Sequence, residues 1–511
     1  MGKAKKCFYI LEVALKRFRI MKTLFSCSFL KSAFTAIFIL TLSYNCSFIH
    51  PRVDDSGHKQ TEYHYTIPEK IEGGWEISGL TAEGIDENAI IEMIKKVLSG
   101  YYEDIHSIVL VKNGKLVLEE YFYGYDRLRL HDMHSVTKSI TSILVGIAYD
   151  QGIFSSTDQM VYRFFPKNLE AAWIKEKREI SVEHLLTMTA GIDWDEESYS
   201  YSDSRNSLIA MWMSQNPIGF VLNRKQVFPP GEVFRYNGGL THLLGAMIKN
   251  TTGSYIDNYG DSKLFNPLGI HNYNWGHHQD GTVDTGGGLR LSPRDMAKIG
   301  YTFLNGGKWK GKQIVSSEWV ALSTKPHVNP YHIFGSGYGY QWWCGESNLG
   351  RGVIKTFFAA GRGGQYIFVV PELDLVVVFT GWNAYHKMLQ PMAMLEDYIL
   401  PATMGLYPLP TPHPIEIESH IMKGYAGRYE LKPDGLAMEV VQKGNRLYLK
   451  PIPLMFWEKI EMTPKSASEF FGYWRYIGNF NIRFSGKENQ KANKLIARFA
   501  LGSRKYSRAE D

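Results

Sequence analysis

Ser135-Val136-Thr137-Lys138-Ser139-Ile140-Thr141-Ser142-Ile143-Leu144-Val145-Gly146-Ile147 is the stretch on which the reading of this chain turns. Ile140, Ile143, Leu144 and Ile147 recur at the spacing of one helix face, so the segment is expected to be an α-helix with that face buried. Residues three apart on a helix stand one turn apart on the same side. Ser135 therefore falls at the helix N-terminus with the Lys138 amine beside its hydroxyl. A serine hydroxyl attacks poorly until its proton is taken, and an amine held away from water can take it. The unpaired N–H groups of a helix start also favour charge developing on a nearby oxygen. A lone Ser-x-x-Lys fits an ordinary surface helix equally well, so its meaning depends on the rest of the chain.

Before the tetrad, Ile105 to Tyr123 alternates around Asn113-Gly114, the pattern of a hairpin with a tight turn. After it, residues 156–260 read mostly as helices and loops, with a buried helix through Leu243-Leu244-Gly245-Ala246-Met247-Ile248. Gly286-Gly287-Gly288 precedes another helix from about Pro293 to Leu304, and strands return at Gln365–Val370 and Leu375–Thr380 around Pro371-Glu372-Leu373-Asp374. Strands, a helical insertion, then strands again predict an α/β fold. It is an antiparallel sheet flanked by helices, with a mostly helical subdomain and a cleft between them. Beyond Pro408, Pro410, Pro412 and Pro414, the runs Gly427–Leu431, Arg446–Leu449 and Asn481–Phe484 predict a small all-β, barrel-like domain. The expected organisation is an N-terminal segment 1–46, a tether 47–65, a catalytic domain 66–407, a Pro-rich linker 408–419 and the β-domain 420–511.

The 511 residues exceed what one small core needs, and 44% hydrophobic with 21% charged residues is ordinary for a globular protein. The net charge of +6 owes much to Lys3, Lys5, Lys6, Lys16, Arg17, Arg19, Lys22 and Lys31. The remainder is nearly neutral and offers no footprint for nucleic acid. Lys22 and Lys31 lead into an apolar run from Ala33 to Leu42, which is short for a membrane span and suits a signal-peptide core. Export to the periplasm, the exterior or the envelope is therefore expected. Met21-Lys22 makes a more natural start than Met1. Cys46, with Leu42 four residues before it, loosely matches a lipidation site, although Tyr44 and Asn45 fit poorly. Membrane association through this segment or through lipidated Cys46 follows as an expectation, an uncleaved anchor being the alternative. Cutting before Cys46 leaves at most Cys46 and Cys344, too few for a disulfide framework.

A serine–lysine hydrolase needs a second proton-handling group and an oxyanion hole. Tyr236, within Pro229-Pro230-Gly231-Glu232-Val233-Phe234-Arg235-Tyr236-Asn237, stands in a loop just before a helix. A phenol beside an ammonium group can have its pKa lowered towards general-base duty, although a single tyrosine is more often packing. Gly361-Arg362-Gly363-Gly364-Gln365 opens a strand where the Gln365 N–H can join that of Ser135 as an oxyanion donor.

Together with His184-Leu185-Leu186-Thr187-Met188-Thr189-Ala190-Gly191 and Gly286-Gly287-Gly288-Leu289-Arg290-Leu291-Ser292-Pro293-Arg294-Asp295-Met296-Ala297, these segments resemble the serine β-lactamase-related family. That family comprises class C β-lactamases, D-Ala-D-Ala carboxypeptidases, and the esterases and amidases of the same fold. The resemblance runs from about Gly74 to Leu400. It implies Ser135 as the acylated nucleophile, Lys138 as its activator and Tyr236 as general acid/base, without a cofactor. The β-domain resembles the lipocalin-like appendages of some members.

Two departures bear on substrate. The family's Tyr-x-Asn is here Tyr236-Asn237-Gly238, so Gly238 falls where the asparagine belongs, and Asn237 is the candidate to compensate. The Lys-Thr-Gly strand motif is replaced by Arg362-Gly363-Gly364, which leaves Arg362, Gly363 and Gly364 as candidate substrate-binding residues and Arg362 as a charge of different geometry. The expected substrate is a small ester, amide or peptide-like molecule. A β-lactamase or cell-wall peptidase is the first alternative, and a catalytically retired binding module the second. Trp342-Trp343 reads either as an apolar acyl site or as core. His277-His278 brings no metal motif with it, so no metal is expected. Arg290 and Asp295 are expected to form charge pairs around the glycine turn.

Overall fold

The computed structural model describes residues 51–52, 60–71, 74–165, 177–330, 335–349, 352–383, 385–410, 413–431, 436–452, 459–474, 478–488, 491–499 and 501–509. The expected leader, Cys46 and most of the first half of the tether lie outside the described residues. Among the described residues, no helix is long and apolar enough to cross a membrane.

The main sheet contains β1 (Glu76–Ile77), β2 (Ile105–Lys112), β3 (Lys115–Tyr121), β4 (Gly337–Tyr338), β5 (Trp343–Asn348), β6 (Val353–Gly361), β7 (Gln365–Val370) and β8 (Leu375–Gly381). They lie in the order β1-β3-β2-β8-β7-β6-β5-β4. Asn113 and Gly114, at φ 52° and 75°, make the tight β2–β3 turn, which needs left-handed backbone at both positions. Strands β2 and β8, far apart in sequence, pair antiparallel from Lys112–Leu375 to Ile105–Gly381. The short β1 departs from the expected antiparallel sheet by pairing parallel to β3. It reaches β3 by way of α1 (Glu87–Leu98) and β2 rather than through a hairpin.

Every residue of β7 and β8 is buried, because helices cover both faces. On one face α4 (Pro293–Leu304) lies directly on the strands. A Cβ at Gly300 would stand 2.6 Å from Val376 and 2.7 Å from Ile367. Tyr366, the neighbour of Ile367, points the other way and donates its hydroxyl to the Met388 carbonyl at 2.9 Å, as strand alternation requires.

Residues 122–336 form the insertion between β3 and β4. It contains α2 (Val136–Asp150) and α3 (Gly238–Thr252), which pack together. A small sheet of His131–Asp132, Leu289–Leu291 and Asn274–Trp275 ties the chain just before Ser135 to the chain just after Gly286-Gly287-Gly288.

A closed antiparallel barrel follows, with strands β9 (Gly427–Leu431), β10 (Leu436–Lys443), β11 (Arg446–Ile452), β12 (Ile460–Pro464), β13 (Glu469–Trp474), β14 (Gly478–Glu488), β15 (Lys491–Phe499) and β16 (Gly502–Arg508). Closure removes the exposed edges that a small open sheet would present. The rings of Tyr425 and Phe484 stack at 4.2 Å among buried Tyr429, Phe470 and Leu495. The barrel touches the body where the Leu501 turn meets Gly345 on β5 and where Arg504 donates to the Gly335 carbonyl. The α/β body with a β-barrel is the fold class the sequence predicts.

Candidate active site

Helix α2 begins in the residue pattern quoted above. His134, at φ 46°, turns the chain sharply into the helix, and Ser135 occupies the N-cap position with its hydroxyl making no cap bond. That hydroxyl instead accepts from Lys138 Nζ at 3.0 Å. The same ammonium donates to the Gly286 carbonyl at 2.9 Å and sits 5.0 Å from the centre of the Tyr236 ring. Lys138 is only 2% exposed. Burial pushes its pKa down, opposed by the negative charges of Glu196 and Asp284, so the neutral amine is closer to hand than on a solvated lysine.

Tyr236 is the last residue before the cap of α3. Its hydroxyl is hydrogen-bonded to Ser135, which lowers its pKa, but burial and the Glu196 charge outweigh this and push it up. Burial thus opposes the lowering expected of a phenol beside an ammonium group. Desolvation is the largest of these effects and favours the protonated phenol, whereas burial favours the neutral amine of Lys138. The Trp343 ring stacks on Tyr236 at 6.0 Å, whereas Trp342 is fully buried against Phe303 and Phe357. One tryptophan of the pair thus lines the site and the other is core.

Asn237, read as a substrate contact, caps α3. Its Oδ1 accepts from the Leu240 N–H at 3.2 Å, and the residue is 2% exposed. An asparagine directly before a helix meets an unpaired N–H within reach, and that local bond directs its side chain inward.

The Gly361–Gln365 hairpin abuts Ser135. A Cβ at Gly361 would lie 3.2 Å from the Val136 nitrogen, so only glycine lets β6 end against the start of α2. Gly363 and Gly364 have φ of 84° and 87°, a conformation that favours glycine. Gln365 pairs with Gly361, and its side-chain amide donates to the Gly381 carbonyl at 2.6 Å, holding the turn in shape. The Arg362 guanidinium lies 4.8 Å over the Tyr201 ring. The structure therefore brings Ser135, Lys138, Tyr236, the Gly361 end of β6 and its turn to one place.

The Beta-lactamase family model matches residues 103–386. The chain belongs to the beta-lactamase family. Members of this family are hydrolases, and the present chain shares their fold. A 6-aminohexanoate-dimer hydrolase of Paenarthrobacter ureafaciens is 25% identical over 303 residues, covering 53% of this chain and 70% of that protein. An uncharacterized protein of Alkalihalophilus pseudofirmus is 26% identical over 313 residues, covering 53% and 82% respectively. The octameric penicillin-binding protein homologue from Pyrococcus abyssi superposes with a TM-score of 0.50 at 22% identity, over 82% of this chain and 99% of that one.

Within this beta-lactamase-family site, several residues escape a reading by motif. Glu196 is buried and accepts from the Gly238 N–H at the start of α3, yet Asp193-Trp194-Asp195-Glu196-Glu197 looks like a solvent-facing acidic loop. The Gly286 carbonyl that holds Lys138 carries no side-chain signal at all. Arg290 and Asp295 do form charge pairs, but Arg290 with Asp132 and Asp295 with Lys298, because the small sheet sets Arg290 opposite Asp132. His278 meets His242, Nε2 to Nε2 at 3.0 Å, and His242 Nε2 lies 3.2 Å from Asp284 Oδ1. These three donors lie within 4.8 Å of one another, a spacing a divalent cation could bridge. His242 also meets the Gly238 carbonyl through Nδ1 at 2.8 Å.

Proposed function

We propose that this beta-lactamase-family protein is a serine hydrolase that cleaves an ester or amide through a covalent acyl-enzyme on Ser135. The observation that carries the reading is the 3.0 Å contact of buried Lys138 Nζ with a Ser135 hydroxyl that caps no helix. Neutral Lys138 takes the Ser135 proton as Oγ bonds to the substrate carbonyl carbon. The resulting oxyanion is held by the Ser135 and Gln365 N–H groups. Tyr236 gives its proton to the departing alkoxide or amine and is resupplied from Lys138. Water then attacks the acyl-enzyme, the same groups taking its proton, and the acid leaves with Ser135 restored.

Arg362, Gly363 and Gly364 line the substrate side. A linear ester or amide is favoured over a β-lactam, because Arg362-Gly363-Gly364 replaces Lys-Thr-Gly and because a curated relative is a hydrolase of a 6-aminohexanoate dimer. The basic and apolar N-terminal segment supports export, with Cys46 as the candidate lipid anchor. Mass analysis of the mature N-terminus tests that part.

Fluorophosphonate labelling of the purified protein, with p-nitrophenyl esters, linear amides and nitrocefin in parallel, tests the enzymatic reading. Label on Ser135 and turnover of esters or amides ahead of nitrocefin are expected. A Ser135→Ala protein that still labels and hydrolyses would sink it.

A further inference from the structure

The steps above make no use of Glu196, although few groups are more costly to place where it stands. The residue is 2% exposed. Its Oε2 accepts from Trp194 Nε1 at 2.9 Å and from the Gly238 N–H at 2.7 Å, and its buried Oε1 has no hydrogen-bond partner. A carboxylate half-satisfied in the interior is a liability unless its charge acts on something nearby. What it acts on is the reacting pair, since its charge bears on both Lys138 and Tyr236.

Gly238 explains how the carboxylate comes to be there. A Cβ at this position would stand 2.8 Å from Leu208 Cδ1 and 3.2 Å from Glu196 Oε2. A side chain at the third position of Tyr236-Asn237-Gly238 and the Glu196 carboxylate therefore compete for one space. The departure in that motif and the buried acid are two sides of one arrangement.

We propose that Glu196 is a positioning residue for the Ser135 chemistry, anchoring the first turn of α3 behind Tyr236 and, in its ionised form, opposing the burial that strips Lys138 of its proton. This rests on the reading of Ser135 as nucleophile and Lys138 as its base. The groups facing Lys138 are the Ser135 hydroxyl, the Gly286 carbonyl and the Tyr236 ring, with the charges of Glu196 and Asp284. Glu196 is itself pushed up by burial, against which the Lys138 charge and the bonds from Gly238 and Trp194 act, with Glu197 adding to the rise; its charge bears on Tyr201 and Tyr338. Burial alone would strip Lys138 of basicity. The carboxylate restores part of it, keeping the amine basic enough to take a serine proton.

The test is the pH dependence of fluorophosphonate labelling of Ser135 in the full chain, alongside ester hydrolysis. Glu196→Gln is nearly isosteric, and its amide oxygen can still accept from Trp194 and Gly238, so the charge is what changes. Without it Lys138 gives up its proton more readily, and the acid limb of the labelling rate moves down by about one pH unit. Glu196→Asp, which keeps the charge, holds the limb near its wild-type position. An unmoved limb in labelled Glu196→Gln protein overturns the proposal, as does a Glu196→Asp limb displaced as far as that of Glu196→Gln. Failure of the wild-type protein to label at any pH would instead remove the Ser135 reading beneath it.

Discussion

This protein buries carboxyl groups in two places, and it treats them differently. Under the active site, burial pushes the pKa of Glu196 up and that of Lys138 down, and the charge of each opposes that shift in the other. At the seam between body and barrel, Glu396 and Asp397 stand side by side on the helical run that follows Gln390. Glu396 Oε1 accepts from Ser347 Oγ at 2.5 Å and from the Leu501 N–H at 2.9 Å. Asp397 accepts from Asn479 Nδ2 on β14 at 2.8 Å. Burial dominates at the seam as well, pushing Glu396 up to about 7 and Asp397 up to about 6, but there the chief opposition comes from hydrogen-bond donors rather than from a cation. The buried acid at the site is opposed by a buried cation, whereas the neighbouring acids at the seam are held by hydrogen-bond donors across the joint. The first arrangement bears on Lys138, and the second ties the barrel to the body.

The contrast breaks most sharply at Ser135. Ser135→Ala is expected to lower ester or amide turnover by at least about a thousandfold. Its melting temperature should stay within a few degrees of wild type, since the hydroxyl caps no helix. A large loss of stability would mean that the serine is structural after all.

Lys138→Ala comes next, with a loss of about 10²- to 10⁴-fold in kcat/KM. In the wild type, kcat/KM should rise with pH as Lys138 loses its proton, with a midpoint below the usual lysine range because burial lowers it. The variant should lose that limb, and pH profiles of the two proteins decide.

The seam responds to pH with the opposite sense to an ordinary salt bridge. Between about pH 4 and 7 the native chain holds protons on Glu396 that the unfolded chain has released. Its contribution is therefore full below about pH 4 and is lost as pH rises through about 7. Denaturant titrations at pH 5 and 8 should differ by on the order of 2 kcal/mol, and Glu396→Gln should flatten that difference. An unchanged pH dependence in Glu396→Gln would separate the seam from these acids.

The smallest effect is expected at Asn237. Asn237→Ala should cost about 1 kcal/mol through the lost cap of α3 and leave KM nearly unchanged. A rise in KM without loss of stability would return Asn237 to the substrate side.

Local patterns carried much of the architecture. The β2–β3 hairpin was readable because Asn113-Gly114 can adopt the turn its strands require, and α2 because its apolar spacing has one period. Ser135 and Lys138 were readable for the same reason: a helix fixes what lies three residues away. The short parallel β1, the docking of the barrel and the division of labour between Trp342 and Trp343 depend on partners far away in sequence, and no local pattern encodes them.

By itself, the sequence determined the α/β body with its β-barrel, the presence of Ser135 beside Lys138, and the loss of the usual side chain at Gly238. Tertiary structure alone decided that burial raises the pKa of Tyr236, that Asn237 turns inward, and that Glu196 fills the space beside Gly238. The physical reason is that burial sets the cost of a charge, and burial is created by residues that meet only after folding.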